Sequence, residues 1–285
     1  MSRLFATAVN DGSLLTHALY DYRHLLRISE VESPYGWGIG YYNHHEVLIK
    51  RRPNHQGALD FFHAMEHLKA SVVIGHVRKR TVGHISPENT HPFRFRNWLF
   101  AHHGTIDRFD AIRTWILNSI PGFLKRSMRG DTDSEHLFHL YMAFLFDDGL
   151  IDASDLTAAM AAKALRNTLH MVARFVRDAG GEPTGMNLAV TNGRVTILAV
   201  CDRPAYWTRI EGLDDCGLCR RTSGWDSASR VRSHPRLKAV MSFCDPPEGA
   251  DLTGLARLPM DTVLAVEPDL TTSLLPLHVI SSQEQ

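Results

Sequence analysis

The chain has 285 residues, with 31 Lys plus Arg against 31 Asp plus Glu, so its formal net charge is zero. That balance gives no support for a nucleic-acid or membrane-surface partner. Hydrophobic residues at 44% and charged residues at 22% are ordinary for a globular protein long enough to bury a sizeable core. Met1–Asn10 lacks a basic start followed by a long apolar run, and no segment is long enough to span a bilayer, so a cytoplasmic location is expected. The 17 histidines make the protein cationic as pH falls through their range, and 4 cysteines do not suggest a disulfide framework.

Arg3–Val9 alternates weakly and reads as a first strand. Asp11–Ile28 carries Leu14, Leu15, Ala18, Leu19, Tyr22, Leu25 and Leu26 as a helical stripe, with Asp11 or Ser13 placed to cap it. From Tyr35 to Tyr42 glycines alternate with large residues, so one face of this strand is nearly bare. A bare face suits close approach by a ligand or tight packing by other backbone, and the residues leave both open. Glu46–Arg52 is its hairpin partner, and Gly57–Lys69 reads as a short helix. Ser71–Val77 and Trp98–His102 are apolar runs expected as buried strands. Between them lies a polar loop with His84, Pro87, Asn89, His91 and Pro92.

Phe109–Ile120 is an expected helix, broken by Pro121-Gly122. Thr132 and Glu135 have capping-box spacing ahead of the apolar run Leu137–Phe146. Asp131 and Asp133 stand where a helix dipole favours carboxylates. Asp155–Ala179 is spaced as a long helix. Met186–Thr191 and Arg194–Cys201 flank Asn192-Gly193, a type I′ hairpin signal. Further strands are expected at Ala205–Ile210, Ala239–Phe243, Thr262–Val266 and Ser273–Ile280, with a polar, Arg-rich loop insertion over about 211–236. Strands at both ends with helices between them predict an α+β domain of mixed sheets covered by helices, one domain over 1–285.

Some residues suggest chemistry. Arg78, leaving an apolar strand, can fork onto a carboxylate, and Asp133 at a helix start can accept from an ammonium group. Together they would hold an α-amino acid at both ends; a structural ion pair is the competing reading of Arg78. Ser2 becomes N-terminal once Met1 is removed, and its own α-amine could then take the hydroxyl proton. His102-His103-Gly104 follows a strand, where a backbone N–H and a side-chain donor could form an oxyanion hole. Cys216 and Cys219 have metal-ligand spacing, and Cys201, Cys244 or His234 could complete a zinc set. Coincidence is the competing reading, and no metal is assigned.

Taken together these residues resemble the class II glutamine amidotransferase domain, and more narrowly its free-standing bacterial branch that includes the ergothioneine-pathway amidohydrolase. The motifs are Ser2-Arg3-Leu4, Gly36-Trp37-Gly38-Ile39-Gly40, and His76-Val77-Arg78 with Thr81 and Gly83. Asn89-Thr90-His91-Pro92-Phe93, Phe100-Ala101-His102-His103-Gly104 and Thr132-Asp133-Ser134-Glu135 complete the series, in the family's order. The resemblance implies an N-terminal nucleophile hydrolase fold, a four-layer αββα sandwich of two mixed or antiparallel sheets. It implies Ser2 as nucleophile, Arg78 binding the α-carboxylate and Asp133 the α-amine of a glutamine or γ-glutamyl amide. Gly104 and His103 would form the oxyanion hole, and Gly36, Trp37 and His91 would line the substrate site. It implies no metal or organic cofactor, and a separate synthetase as partner if ammonia is transferred. Two positions depart from the family: Ser2 stands where its nucleophile is Cys, and His103 where its oxyanion side chain is Asn. Tyr35 also replaces the Asp that many relatives carry. Serine is the nucleophile in other branches of the fold. The alternative is a catalytically impaired pseudoenzyme that binds an amino-acid-like ligand or regulates a partner.

Overall fold

The computed structural model describes residues 3–28, 35–44, 46–78, 83–222 and 233–278. In chain order the strands are β1 (Arg3–Val9), β2 (Arg27–Ile28), β3 (Tyr35–Asn43), β4 (Glu46–His55), β5 (Leu59–Asp60), β6 (Val72–Arg78), β7 (Phe93–Phe95) and β8 (Trp98–His103). After a helical middle come β9 (Asn187–Thr191), β10 (Thr196–Val200), β11 (Ala205–Leu213), β12 (His234–Cys244), β13 (Ala256–Arg257), β14 (Thr262–Val266) and β15 (Thr272–Pro276). The helices are α1 (Leu15–Leu19), α2 (Phe61–Met65), α3 (Phe109–Asn118), α4 (Gly122–Lys125), α5 (Asp133–Asp147), α6 (Ala158–Asp178) and α7 (Gly217–Thr222).

Seven strands form sheet I in the order β13-β11-β12-β1-β6-β3-β4, and six form sheet II in the order β15-β14-β10-β9-β8-β7. The neighbouring strands in both sheets pair antiparallel. Side-chain alternation then sorts each strand between two apolar layers. Leu4, Ala6 and Ile74 of sheet I meet Leu99, Ala101, Ala189 and Leu198 of sheet II in the space between the sheets. On the other face of sheet I, Phe5, Val73 and Val77 pack under Leu15, Leu19, Phe61 and Met65. On the outer face of sheet II, Phe100, Leu188 and Ile197 pack under Ile112, Phe138 and Leu165. The result is the expected four layers, helix, sheet, sheet, helix. Because β1 and β6 are covered on both faces, they read as nearly continuous apolar runs; each fully buried Leu, Phe, Val or Ile among them contributes about 1.5–3 kcal/mol.

Packed protein atoms, not open space, lie against the glycines of β3. A Cβ on Gly38 would fall inside van der Waals contact of the His91 carbonyl oxygen and 3.0 Å from that of Lys50. One on Gly36 would meet the Thr90 side chain, and one on Gly40 the ring of Pro92 and Leu99. The bare face of β3 is therefore filled by residues 90–92, which the strand could not accommodate with larger side chains.

Other elements differ from expectation for local reasons. The stripe over Asp11–Ile28 is buried, but the helix stops at Leu19 and the chain continues through a 3-10 turn at Arg23–Leu26 into β2. Beyond Leu19 the main-chain bonds tighten to three-residue spacing, Tyr22 N donating to Leu19 O at 3.1 Å and Arg23 N to Tyr20 O at 3.3 Å, while the Arg23 guanidinium lies 4.0 Å over the Tyr20 ring. Asp11 does cap, accepting from Ser13 N at 2.9 Å. At the β9–β10 hairpin Gly193 takes a positive φ of 84° but Asn192 does not, so the turn is not type I′. Instead Asn192 Oδ1 accepts from Arg194 N at 3.0 Å and Val195 N at 2.9 Å. The expected helix over Gly57–Lys69 shortens to α2, and the last strand ends at Pro276 rather than Ile280. The expected loop over 211–236 contains the end of β11, helix α7 and the start of β12.

Candidate active site

Antiparallel pairing brings three strand ends to one edge of sheet I. Gly36 at the start of β3 lies opposite Arg78 at the end of β6. Arg3, the first described residue, lies opposite Val77, and Leu4 lies opposite both His76 and Cys244. Directly opposed residues share a face, so Arg78 and His76 project toward sheet II with Leu4, while Val77 and Trp37 project outward. Arg78 is buried, and its Nη1 donates to the His84 carbonyl at 3.3 Å. Ser2 and Thr81 lie outside the described residues.

Sheet II supplies the facing wall. β8 ends at His103, which pairs with Asn187 at the start of β9. Asn187 is fully buried and folds the adjoining turn around itself. Its Oδ1 accepts from Cys201 N at 3.0 Å and Asp202 N at 3.1 Å, and its Nδ2 donates to Arg203 O at 2.9 Å. Gly104 follows with φ at +150°. A Cβ there would lie 2.8 Å from Met186 Cβ and 2.9 Å from His102 Nε2, so the chain leaves β8 by a path open to glycine.

Four histidines, His76, His91, His102 and His103, are buried at this end of the sandwich. The rings of His76 and His91 have centroids 4.1 Å apart, and His91 also meets Phe93 at 4.7 Å. Burial, reinforced by neighbouring cationic groups, drives the pKa of His76 and of His91 well below the ordinary histidine value. Burial lowers His102 as well, against the opposing pull of Asp133. It lowers His103, with Asp245 opposing. All four rings are therefore neutral at pH 7, and each can offer one N–H donor and one acceptor nitrogen. Neither ring nitrogen of His91, nor Nδ1 of His103, has a hydrogen-bond partner among the described residues.

Asp133 opens α5 and is buried. Its Oδ2 accepts from Ile106 N at 3.0 Å and its Oδ1 from Ser134 N at 2.9 Å. Ser134 Oγ in turn lies 3.0 Å from His102 Nδ1. Thr132 caps the helix by accepting from Glu135 N at 3.2 Å, which is half of the expected capping box. The other half is absent, because Glu135 turns away and accepts from Arg129 N at 3.0 Å and Gly130 N at 2.6 Å. The 83–92 loop is buckled to this helix start: Asn89 Nδ2 donates to Asp131 Oδ1 at 2.7 Å, and Asp131 N donates to Asn89 Oδ1 at 3.0 Å.

Arg78, Gly36, His91, His103, Gly104 and Asp133 thus belong to one end of the sandwich or to the helix start behind it. Trp37 does not join them. Its ring lies on the outer face of sheet I, 5.7 Å edge-on from Phe61 and packed with the helices there. Cys216 and Cys219 lie elsewhere, near His17 and His234. Sequence reasoning passed over Ser134 and Asn187. Ser134 stood within the Thr132–Glu135 motif, where only its neighbours carried an expectation, and Asn187 offered no signal, because its role depends on the turn that folds around it.

A model of the class II glutamine amidotransferases matches residues 1–210, so the chain belongs to that family. Among curated proteins it is 31% identical over 143 residues to the "Probable glutamine amidotransferase DUG3" of Saccharomyces cerevisiae, a match covering 47% of this chain and 40% of the yeast protein. A second relative, from Haemophilus influenzae, is 28% identical over 149 residues, 50% of this chain and 47% of its own length. The chain thus spans less than half the length of these curated relatives. Among solved structures, a glutamine aminotransferase class-II domain protein from Silicibacter pomeroyi superposes with a TM-score of 0.54 at 18% identity, covering 96% of this chain and 99% of that one. The glutamine phosphoribosylpyrophosphate amidotransferase of B. subtilis gives 0.53 at 15% identity, covering 96% of this chain and 49% of that one. The fold is the N-terminal nucleophile hydrolase sandwich. No described helix is long and apolar enough to cross a membrane.

Proposed function

We propose that this domain hydrolyses the side-chain amide of glutamine or of a γ-glutamyl compound, with Ser2 as nucleophile. The observation that carries the reading is the convergence of three strand ends. The start of β1 at Arg3 lies opposite Val77 beside Arg78 at the end of β6, and Leu4 shares an apolar layer with Ala101, two residues before the His103 that ends β8. Arg78 binds the substrate α-carboxylate and Asp133 its α-amine. With Met1 removed, the Ser2 Oγ attacks the amide carbon and its proton passes to the Ser2 α-amine. The oxyanion receives hydrogen bonds from Gly104 N–H and a His103 ring N–H. The C–N bond then breaks, and the departing nitrogen takes the proton from the α-amine. Water adds to the resulting ester, its proton going to the α-amine, and the carboxylic acid leaves as Ser2 is regenerated. A donor of this kind contributes on the order of 100- to 1,000-fold in rate. Ammonia released here would pass to a separate synthetase.

The departures at Ser2 and His103 favour a second reading, a domain of this build that holds an amino acid without turning it over. Intact-mass spectrometry after incubation with a diazo-ketone glutamine analogue separates the two. An adduct mapped to Ser2, on chains lacking Met1, supports hydrolysis. Saturable glutamine binding with neither adduct nor glutamate release supports the second reading. No binding, with Arg78→Ala indistinguishable from the parent chain, sinks both.

A further inference from the structure

A second cluster of nitrogen and sulfur donors lies at the other end of sheet I. β12 reaches both places: Cys244 pairs with Leu4 near the candidate active site, and His234 begins the strand. At about 3.3 Å per residue the two ends are roughly 30 Å apart. Around His234 gather His17 from α1, Cys216 just before α7, and Cys219 within it.

The spacings are those of a coordination shell. His17 Nδ1 lies 3.2 Å from Cys216 Sγ, 3.5 Å from Cys219 Sγ and 3.2 Å from His234 Nε2. Cys219 Sγ lies 3.4 Å from His234 Nε2, and all four donor atoms fall within 4.8 Å of one another. Tetrahedral zinc with the usual bond lengths separates neighbouring ligand atoms by roughly 3.3–3.8 Å. Hydrogen bonding does not account for the cluster. A neutral imidazole nitrogen is one donor or one acceptor, yet His17 Nδ1 faces three partners at once, two of them thiols, which are weak in either role. A shared cation satisfies all the contacts together. Two thiolates and two neutral imidazoles also balance a divalent charge, and two sulfur with two nitrogen donors in tetrahedral array is the set that selects zinc among common divalent ions.

We propose that His17, Cys216, Cys219 and His234 form a structural zinc site. Four protein ligands leave no open position, so the metal holds chain segments together rather than activating water. It fastens α7 and the start of β12, both within the 211–236 insertion, to α1. Packing agrees with that attachment, since a Cβ on Gly217 would lie 2.7 Å from Asp21 Oδ1 and 2.8 Å from the Tyr20 ring. The site is independent of the proposed hydrolysis.

The test is metal analysis of untagged full-length protein expressed with zinc in the medium and desalted. About one zinc per chain is expected, and the cobalt-substituted protein should give tetrahedral d–d bands with a thiolate-to-cobalt charge-transfer band. Cys219→Ser and His17→Gln should each lose the metal and lower the thermal midpoint, as should a strong chelator added to the parent chain. Should the variants fail to fold, the cobalt spectrum of the parent chain decides. Protein that stays metal-free after reconstitution with excess zinc overturns the proposal. So does an octahedral cobalt spectrum lacking the thiolate band, or a Cys216–Cys219 disulfide mapped in metal-free folded protein.

Discussion

Ser134 Oγ lies 3.0 Å from His102 Nδ1 and 3.4 Å from Asp133 Oδ1, so one hydroxyl links the start of α5 to the end of β8. His102 is buried and kept neutral by that burial, and Nδ1 is its hydrogen-bonded nitrogen, Nε2 having no partner among the described residues. Ser134→Ala removes the partner of Nδ1 and leaves a buried polar atom unsatisfied. The expected cost is about 1–3 kcal/mol of folding stability, read from urea unfolding. A loss below about 0.5 kcal/mol, the usual size of a neutral surface change, would mean the contact contributes little.

The proposed amino-acid grip predicts a particular kinetic pattern. Arg78→Lys keeps the charge but loses the planar fork, and Asp133→Asn keeps the shape but loses the charge. A hydrogen bond to a charged group contributes roughly 1.5–3 kcal/mol, so each change should raise KM for glutamine about 10- to 100-fold while kcat moves less. If the domain only binds, the same factor should appear in the glutamine dissociation constant by calorimetry. An unchanged KM in both variants would remove the grip from the model of binding.

His103 offers the sharpest comparison of the two functional readings. If its ring N–H stabilises the oxyanion, His103→Ala lowers kcat by on the order of 100-fold or more, and His103→Asn, which restores the family residue, keeps or raises it. Steady-state glutamate release measures both. Equal activity in His103→Ala and the parent chain would assign the oxyanion to Gly104 N–H alone.

The layered fold was legible because local signals agreed with it. The apolar runs at Arg3–Val9, Ser71–Val77 and Trp98–His102 are interior strands of the two sheets, each paired on both sides, and the Thr132 cap begins α5 as its spacing predicts. Arg78 and His103 were legible as strand-end residues for the same reason. What stayed hidden depends on tertiary proximity. Nothing near His17 foretells a partner 199 residues away at Cys216, and the paired cysteines alone left several residues to complete the set. The family motif suggested Trp37 as a substrate neighbour, but strand alternation turns its ring away from the glycine face.

The glycine face of β3 yields a test of the fold itself. At Gly38 a Cβ collides with main-chain atoms, the His91 carbonyl and, at 3.0 Å, the Lys50 carbonyl, which cannot rotate away as a side chain would. Gly38→Ala should therefore cost at least the upper part of the 1–3 kcal/mol typical of overpacking. Gly57 is the control: its φ is +86° but a Cβ would meet nothing within 4 Å, so Gly57→Ala should cost only the roughly 1–2 kcal/mol of left-handed backbone. Thermal midpoints of the two variants should separate in that order, and Gly38→Ala as stable as Gly57→Ala would place the 90–92 segment off the strand.

Acid sensitivity follows from the buried histidines, and His139 shows the sign most clearly. Its Nδ1 lies 2.9 Å from the Glu135 carbonyl and its Nε2 3.0 Å from Ser127 Oγ. Burial pushes its pKa down from 6.5 to about 4. The unfolded chain therefore takes up a proton at this residue that the folded chain refuses. Above pH 7 both states are neutral and stability is complete; between about pH 6.5 and 4 it falls; below 4 both are protonated and the loss levels off. One such residue removes up to roughly 3 kcal/mol across that window. His76 and His91, also lowered by burial, act in the same direction. Urea unfolding followed by circular dichroism at pH 7.5, 6 and 5 should show stability declining with pH in the parent chain. His139→Gln should start less stable at pH 7.5 but decline less, by the equivalent of about one proton taken up on unfolding. If the two chains lost the same stability between pH 7.5 and 5, His139 would not be held neutral by the fold.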